Sequence, residues 1–280
     1  MNEAEYRRLN KMLFILQKLK EDHNMFIDQM ILKDLLRNSE HEYEELYLVD
    51  LKDPEGGLLW AECFPEKYKK AVPLGTIEFV NAFIKIFYGI EKMNPIEVPI
   101  AMRRPELLKR QYGMCLVEDL PDEGKWFIKD ASELKTLRYF GNKNIINTFC
   151  NDEGHVYQCS EIIDIKSEYR VYFINGELYT LANYNGDPKL MPDMNVILMA
   201  NGLYSMQKDY PKSYTMDIAI TEKGTCILEC HVLFSCGLYT AVLGTDFLNG
   251  YIDGLNYLKN YNSEIKPDEN VNLFQVKALT

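Results

Sequence analysis

The chain has 280 residues, 47% hydrophobic and 26% charged, which is ordinary for a globular protein with a sizeable core. Its 31 Lys and Arg residues face 42 Asp and Glu residues, so the formal net charge is −11. This acidic balance argues against non-specific nucleic-acid binding, which depends on neutralising phosphates, although a local basic groove stays open. No apolar run approaches the roughly 18 residues that a transmembrane helix needs, so we expect no membrane association.

The seven cysteines are scattered, and no Cys-x-x-Cys spacing occurs. We interpret Cys226, Cys230 and Cys236, the closest group, as reduced thiols, with a zinc site as the alternative. The amino-terminal residues 1–5 lack the basic region and apolar run of a secretory signal. Together these features predict a cytoplasmic location.

In the first third of the chain, helical spacing of apolar residues predicts an amphipathic helix over residues 6–20 and a second helix over 26–37. The apolar run at residues 46–51 predicts a strand. Thr76 is placed to cap a helix that begins at residue 77. A connector with three prolines follows, and we place a domain boundary near residue 100.

The middle of the chain predicts a compact region of short elements. Residues 126–129 form a strand, residues 132–140 a helix and residues 157–164 another strand. Residues 169–174 and 177–183 form a hairpin around Asn175-Gly176, the strongest short hairpin signal in the chain.

A second hairpin, residues 214–220 and 225–231, carries an acidic pair. A three-residue loop that ends in Gly224 sets a register in which Asp217 faces Glu229. Opposed carboxylates repel, so such a pair usually shares a proton or a cation. His231 falls on the same face. The alternative is a solvated acidic surface, because a one-residue slip would send the two carboxylates to opposite faces.

The elements between residues 73 and 240 resemble the ATP-grasp superfamily, and within it the phage-associated clade defined by two arginines and a lysine. Members of that clade are suspected peptide or amino-acid ligases. The resemblance is carried by residues 73–80, 127–129, 161–163, 168–171, 175–177 and 235–239, and by Asp217 and Glu229.

The resemblance implies an α+β, ATP-grasp fold in three parts. Residues 1–100 would form an N-terminal α/β region that precedes the ATP-grasp part. Residues 101–160 would form a small lid subdomain. Residues 161–280 would form a C-terminal antiparallel-sheet subdomain that carries the metal site.

The resemblance also implies roles for single residues. Lys129 and Lys135 would bind the phosphates of ATP, and Arg170 would stabilise the transferred phosphoryl group or an acyl phosphate, which makes Lys129 and Arg170 the catalytic pair. Asp217 and Glu229 would hold Mg²⁺ or Mn²⁺, and we add His231 as a third metal ligand because it falls on the same face of the hairpin. The other nucleotide contacts would be Glu161, Ile162, Ile163 and Glu168.

Simpler interpretations stay open for the same residues. Lys129 is also consistent with a strand-end lysine that extends to solvent, and Lys135 with a solvated helix lysine. Glu168 and Arg170 are consistent with an exposed cross-strand ion pair. These alternatives do not depend on any ligand.

Two features depart from the ATP-grasp pattern. In most of these proteins an asparagine follows the metal-binding glutamate by two residues, and His231 stands there in this chain. Magnesium prefers oxygen ligands, so an imidazole favours manganese or another transition metal. The second departure is the missing glycine-rich phosphate loop, since Gly141 is the one glycine between residues 131 and 143.

These observations predict an ATP-dependent carboxylate–amine ligase that works through an acyl phosphate. Its substrates would be a small-molecule or peptide carboxylate and an amine. The alternative is a catalytically degraded ATP-grasp module that binds a nucleotide or another protein. The oligomeric state stays open.

Overall fold

The structure is a computed structural model that describes residues 11–268, except residues 135, 150–153, 240 and 242 and the side chains of residues 149 and 235. The strands are β1 Leu13–Gln17, β2 Glu42–Leu46, β3 Val72–Leu74, β4 Tyr112–Cys115, β5 Trp126–Asp130, β6 Arg138–Gly141, β7 Tyr157–Glu161, β8 Ser167–Ile174, β9 Glu177–Gly186, β10 Tyr214–Thr221 and β11 Gly224–His231. The α-helices are α1 Phe26–Arg37, α2 Ile77–Tyr88, α3 Pro105–Leu108, α4 Lys143–Phe149, α5 Met194–Tyr204 and α6 Leu248–Tyr261. Within the described residues, no helix is long and apolar enough to cross a membrane.

The amino-terminal region is built on a parallel three-stranded sheet of order β2-β1-β3. The predicted helix over residues 6–20 is wrong where the structure describes it, because residues 13–17 form the central strand. Phe14 and Leu16 pack in one apolar cluster and Ile15 in another, so the strand is covered on both faces. A continuous apolar run is typical of such a buried parallel strand.

The next two helix predictions, over residues 26–37 and from residue 77, are confirmed. Helix α1 spans residues 26–37 as expected. Thr76 caps α2, since its hydroxyl oxygen accepts a hydrogen bond of 3.3 Å from the backbone N–H of Phe79. The strand predicted at residues 46–51 is wrong, because β2 ends at residue 46 and residues 48–51 form a 3₁₀ helix.

A small antiparallel sheet, hereafter the small sheet, has the order β4-β7-β5-β6. The predicted helix over residues 132–140 is wrong, because residues 138–141 form the edge strand β6. Successive side chains of this strand point to opposite faces of the sheet. Tyr139 packs against the core of the sheet, whereas the ring centroid of Phe140 lies 5.8 Å from that of Phe127. Strand β7 ends at Glu161, three residues earlier than predicted.

A second antiparallel sheet, hereafter the large sheet, has the order β11-β10-β8-β9. Both predicted hairpins are confirmed. Asn175 and Gly176 have φ values of 52° and 83°, as their two-residue turn requires. In the second hairpin Asp217 pairs with Glu229 as predicted, but by another route. The turn pairs Thr221 with Gly224, and a bulge at Leu228 restores the offset.

Candidate functional site

A cavity of about 660 Å³ lies between the two antiparallel sheets. Eight of the residues singled out from the sequence line it: Lys129, Glu161, Ile162, Ile163, Glu168, Arg170, Asp217 and Glu229. His231 lies two residues further along β11 and contacts Glu229. Lys135 lies outside the described residues. The structure therefore brings all the described candidates to one place, from strands that are distant in the sequence.

Asp217 forms a buried, bidentate ion pair with Arg170. The Nε and Nη2 atoms of Arg170 donate hydrogen bonds of 2.7 Å each to the two carboxylate oxygens. The two residues face each other across β8 and β10, with side chains only 8% and 4% exposed. The exposed pairing of Glu168 with Arg170, one of the alternatives, is therefore wrong. Glu168 instead accepts hydrogen bonds from Tyr184 and Asn185.

Glu229 is neutralised by Lys129 and by His231, whose Nε2 also lies 3.8 Å from a carboxylate oxygen of Asp217. The carboxylate of Glu229 accepts a hydrogen bond of 2.6 Å from the ammonium of Lys129 and lies 3.1 Å from Nε2 of His231. Burial would raise the pKa of Glu229, but His231 and Lys129 outweigh it and hold the pKa well below its ordinary value. Asp217 and Glu229 therefore stand opposite each other without strong repulsion, because Arg170 pairs with the first and Lys129 with the second, and His231 lies near both.

Lys129 connects the small sheet to the acidic strands. Its ammonium also donates a hydrogen bond of 2.6 Å to Glu97, which lies in the connector before α3. Burial acts to lower the pKa of Lys129, but the carboxylates of Glu97 and Glu229 outweigh it and raise that pKa. The ammonium is therefore charged, and its side chain is 9% exposed, at the edge of the cavity. The interpretation of Lys129 as a solvent-directed lysine is wrong.

Sequence reasoning missed Glu97. It is 1% exposed, and its carbonyl oxygen accepts a hydrogen bond of 2.8 Å from the backbone N–H of Cys230. Burial raises the pKa of its carboxyl, and the nearby Lys129 ammonium opposes that shift. One signal was available: Glu97 is a lone charge between Ile96 and Val98, within a proline-bounded apolar segment.

The residues Asp217, Glu229 and His231, hereafter the metal trio, fit a divalent cation. Each offers one ligand atom, and these atoms lie within 4.8 Å of one another. Two carboxylates and one imidazole suit manganese better than magnesium, which prefers oxygen ligands. Burial lowers the pKa of His231, but Glu229 and Asp217 outweigh it and raise that pKa. A metal would therefore compete with a proton for His231.

Part of the cavity lining is apolar and forms a slot beside the polar residues Arg138 and Ser160. Its walls are formed by Phe127 and Phe140 from the small sheet and by Ile162, Ile163 and Ile165 from the segment after β7. The carboxylate of Glu161 accepts a hydrogen bond of 2.9 Å from the backbone N–H of Gln111, the residue before β4, and this bond fixes the position of Glu161. A flat aromatic ring is the type of group that such a slot accommodates.

Two tyrosines stand at the charged end, beside Arg170. The rings of Tyr184 and Tyr239 stack with their centroids 4.9 Å apart. The guanidinium of Arg170 lies 5.8 Å from the first ring centroid and 5.0 Å from the second. Aromatic faces attract cations, so the stack adds to the forces that hold Arg170 in place.

The comparisons with known proteins agree with this architecture. Residues 107–245 match a family model of the ATP-grasp domain, the second family of the clade that is named for two arginines and a lysine. A crystal structure of a D-cycloserine synthetase is similar, with 10% identity over 90% of this chain and 100% of that chain and a TM-score of 0.51. At such identity the likeness shows the fold alone. Searching the curated proteins gives no significant match.

Two further solved structures are similar at slightly lower scores. One is the ATP complex of D-alanine–D-alanine ligase from Bacillus anthracis, with 13% identity over 89% of this chain and 98% of that chain and a TM-score of 0.49. The other is D-alanyl-alanine synthetase A from Vibrio cholerae, with 12% identity over 89% and 99% and the same TM-score. The family model confirms the resemblance to the two-arginine, one-lysine clade, although its match begins after residues 73–80.

Proposed function

Because residues 107–245 form an ATP-grasp domain of this clade, we propose that the chain is an ATP-dependent ligase that joins a carboxylate to an amine. One observation carries the proposal. Lys129 and Arg170 approach the same cavity from opposite sheets, next to a trio of metal-binding residues. Two fixed cations and a divalent-metal site are what phosphoryl transfer needs, because its catalysis is mostly positioning and charge neutralisation.

The proposed reaction has two steps. An oxygen of the substrate carboxylate attacks the γ-phosphorus of ATP, and ADP leaves with the electrons of the broken bond. The amine then attacks the carbonyl carbon of the acyl phosphate, loses a proton and expels phosphate. Arg170 is rigidly held by Asp217 and offers its charge to the phosphoryl group.

The residues divide between the two ends of the cavity. Lys129 would bind phosphate oxygens at the charged end, and we keep Lys135 as a second phosphate ligand. The adenine ring would lie in the apolar slot, bordered by Glu161, Ile162 and Ile163, with Glu168 near the ribose. The metal trio would hold Mn²⁺ or Mg²⁺, which when bound supplies positive charge for the phosphate oxygens.

We leave the substrates as a class: a small-molecule or peptide carboxylate and an amine. One similar structure is named for D-cycloserine, a cyclic amino-acid derivative, so D- and L-amino acids make a suitable first panel. We also propose the division at residues 100 and 160 and a cytoplasmic location, both of which rest on the sequence.

The test begins with thermal unfolding in ATP, ADP or GTP, each with Mn²⁺, Mg²⁺ or EDTA. ATP at about 100 times its dissociation constant should stabilise the fold by about 2.7 kcal/mol. We expect this only with a metal. ADP release is then measured over the amino-acid panel, with hydroxylamine present to trap an acyl phosphate as a hydroxamate. Metal-dependent ADP release with hydroxamate formation supports the ligase.

His231 supports one alternative, a module that binds a nucleotide without turnover. It sits 3.1 Å from Glu229, where an asparagine is usual in the superfamily, and once protonated it occupies that carboxylate with a cation of its own. Stabilisation by ATP that ignores EDTA, together with no ADP release, would favour this alternative. No stabilisation by any nucleotide would contradict both functions.

A further inference from the structure

Glu97 has an unusual backbone at the edge of the site. Its φ of 54° places it in the left-handed region, which is unfavourable for any residue other than glycine. A bridge holds it against Cys230, the residue between Glu229 and His231. Because this conformation is unfavourable and firmly held, it points to a role for the side chain.

The side chain of Glu97 is buried and incompletely paired. Oε1 accepts the 2.6 Å hydrogen bond from Lys129, whereas Oε2 has no hydrogen-bond partner among the described residues. A buried oxygen without a partner is destabilising, and buried ion pairs contribute little to stability even when complete. Folding stability therefore does not explain why a carboxylate occupies this position.

The position of Lys129 does explain it. Its ammonium lies between two carboxylates, with Glu97 and Glu229 each at 2.6 Å. Glu229 also belongs to the metal trio, so a bound cation would draw that carboxylate away from the lysine. With Glu229 as the sole anchor, lysine and metal would compete for one carboxylate. Glu97 gives Lys129 an anchor outside the metal trio.

We propose that Glu97 is a positioning residue that holds the Lys129 ammonium at the phosphate end of the cavity while Glu229 serves the metal. This role rests on the proposed function. It also means that the site extends beyond the family domain, because Glu97 precedes the matched residues 107–245. The connector is thus part of the nucleotide site.

The direction in which one substitution changes the affinity for ATP separates a positioning role from a simple charge effect. Glu97→Gln removes a negative charge close to a polyanionic ligand, so electrostatics alone would tighten ATP binding. Loss of positioning would weaken it, because Lys129 would turn fully to Glu229. We expect the dissociation constant of ATP with Mn²⁺ to rise about tenfold, the effect of losing one charge-assisted hydrogen bond.

The experiment measures ATP affinity by titration calorimetry on the full chain with Mn²⁺. The variants are Glu97→Gln, Lys129→Met and their combination, with Glu91→Gln as the matched control, since Glu91 is an exposed glutamate of the same connector. If Glu97 acts through Lys129, the double variant binds ATP no more weakly than Lys129→Met alone. The double variant also removes both partners of the pair, which guards against loss of folding in the single variant.

The outcomes separate the two hypotheses. Tighter or unchanged ATP binding in Glu97→Gln would overturn the positioning role, as would effects that simply add in the double variant. Wild-type protein that fails to bind ATP with metal would overturn the proposed function, and the role of Glu97 with it. Weaker binding in Glu97→Gln, absent in the Lys129→Met background, supports both.

Discussion

The two walls of the cavity are built differently. Strands of the large sheet are covered on both faces: Tyr169 and Val171 pack in one apolar cluster, while Tyr172 packs in the other. At β5 the small sheet packs one face around Trp126 and Ile128 and turns its other face to the cavity. The charged pair of Arg170 and Asp217 lies on the doubly covered wall. We expect the wall that is packed on both faces to be the more rigid one. It carries Arg170 and the metal trio, whereas Lys129 and most of the apolar contact come from the thinner wall.

The largest effect is expected from the rigid wall. Asp217→Asn should lower ATP-dependent turnover by about a thousandfold, because it replaces a charged metal ligand by a neutral amide and removes the negative charge that fixes Arg170. It should also destabilise the fold by roughly 3–5 kcal/mol, since a buried arginine is left unpaired. ADP release and denaturant unfolding measure the two effects.

Two controls separate chemistry from folding in that experiment. Glu222→Gln, in the exposed turn of the same hairpin, should change neither quantity. Arg170→Met combined with Asp217→Leu should recover stability but not turnover, because it removes both charges together. A well-folded, fully active Asp217→Asn variant would contradict the assignment of the rigid wall.

A smaller effect is expected when the preference for Mn²⁺ over Mg²⁺ is measured after a substitution in the metal trio. His231→Asn replaces an imidazole by an amide oxygen, so the preference for Mn²⁺ over Mg²⁺ should fall by about tenfold. Half-saturating metal concentrations for ATP-dependent stabilisation give this ratio. An unchanged ratio would mean that His231 is not a ligand, and the metal trio would have to be revised.

The thin wall should affect ATP binding more than turnover. Ile163→Ala removes apolar contact from the proposed adenine slot, so the KM for ATP should rise about fivefold with little change in kcat. Steady-state kinetics at saturating metal measure both constants. Leu137→Ala, at a residue that is 74% exposed just before β6, serves as the control. An equal rise of the KM for ATP in the two variants would contradict the assignment of the apolar slot to adenine.

The smallest effect concerns local stability. Strand β6 is one of the two edge strands of the small sheet and, among the described strands, pairs with β5 alone. Its amides should therefore exchange hydrogen faster than those of the central strands β8 and β10. ATP with metal should slow exchange in β6 severalfold and leave the large sheet nearly unchanged. Hydrogen-exchange mass spectrometry measures both. If the amides of the two sheets were equally protected from exchange without ligand, the two walls would not differ in local stability.

Local patterns predicted the large sheet well. Asn175-Gly176 and the alternating strands around it specify a hairpin from neighbouring residues alone. The pairing of Asp217 with Glu229 was predicted from a three-residue loop, whereas the structure combines a shorter turn with a bulge at Leu228. Both arrangements place Asp217 opposite Glu229, so the acidic pair was predicted correctly although the turn was not.

Non-local packing explains what the sequence did not predict. The leucines of residues 6–20 match helical spacing, yet residues 14–16 pair with Val72–Leu74, far along the chain, and lie in a strand. Glu97 meets Lys129 and Cys230, which lie far from it in the sequence. No local pattern predicts such contacts.

The bulge at Leu228 also affects hydration. An extra residue in a strand re-aims side chains, and here both Leu228 and Glu229 line the cavity. An isobutyl group therefore stands next to a carboxylate where regular alternation would have sent it to the other face. An apolar side chain displaces water from that flank, so we expect it to lower the local dielectric constant and to strengthen the charge interactions of Glu229.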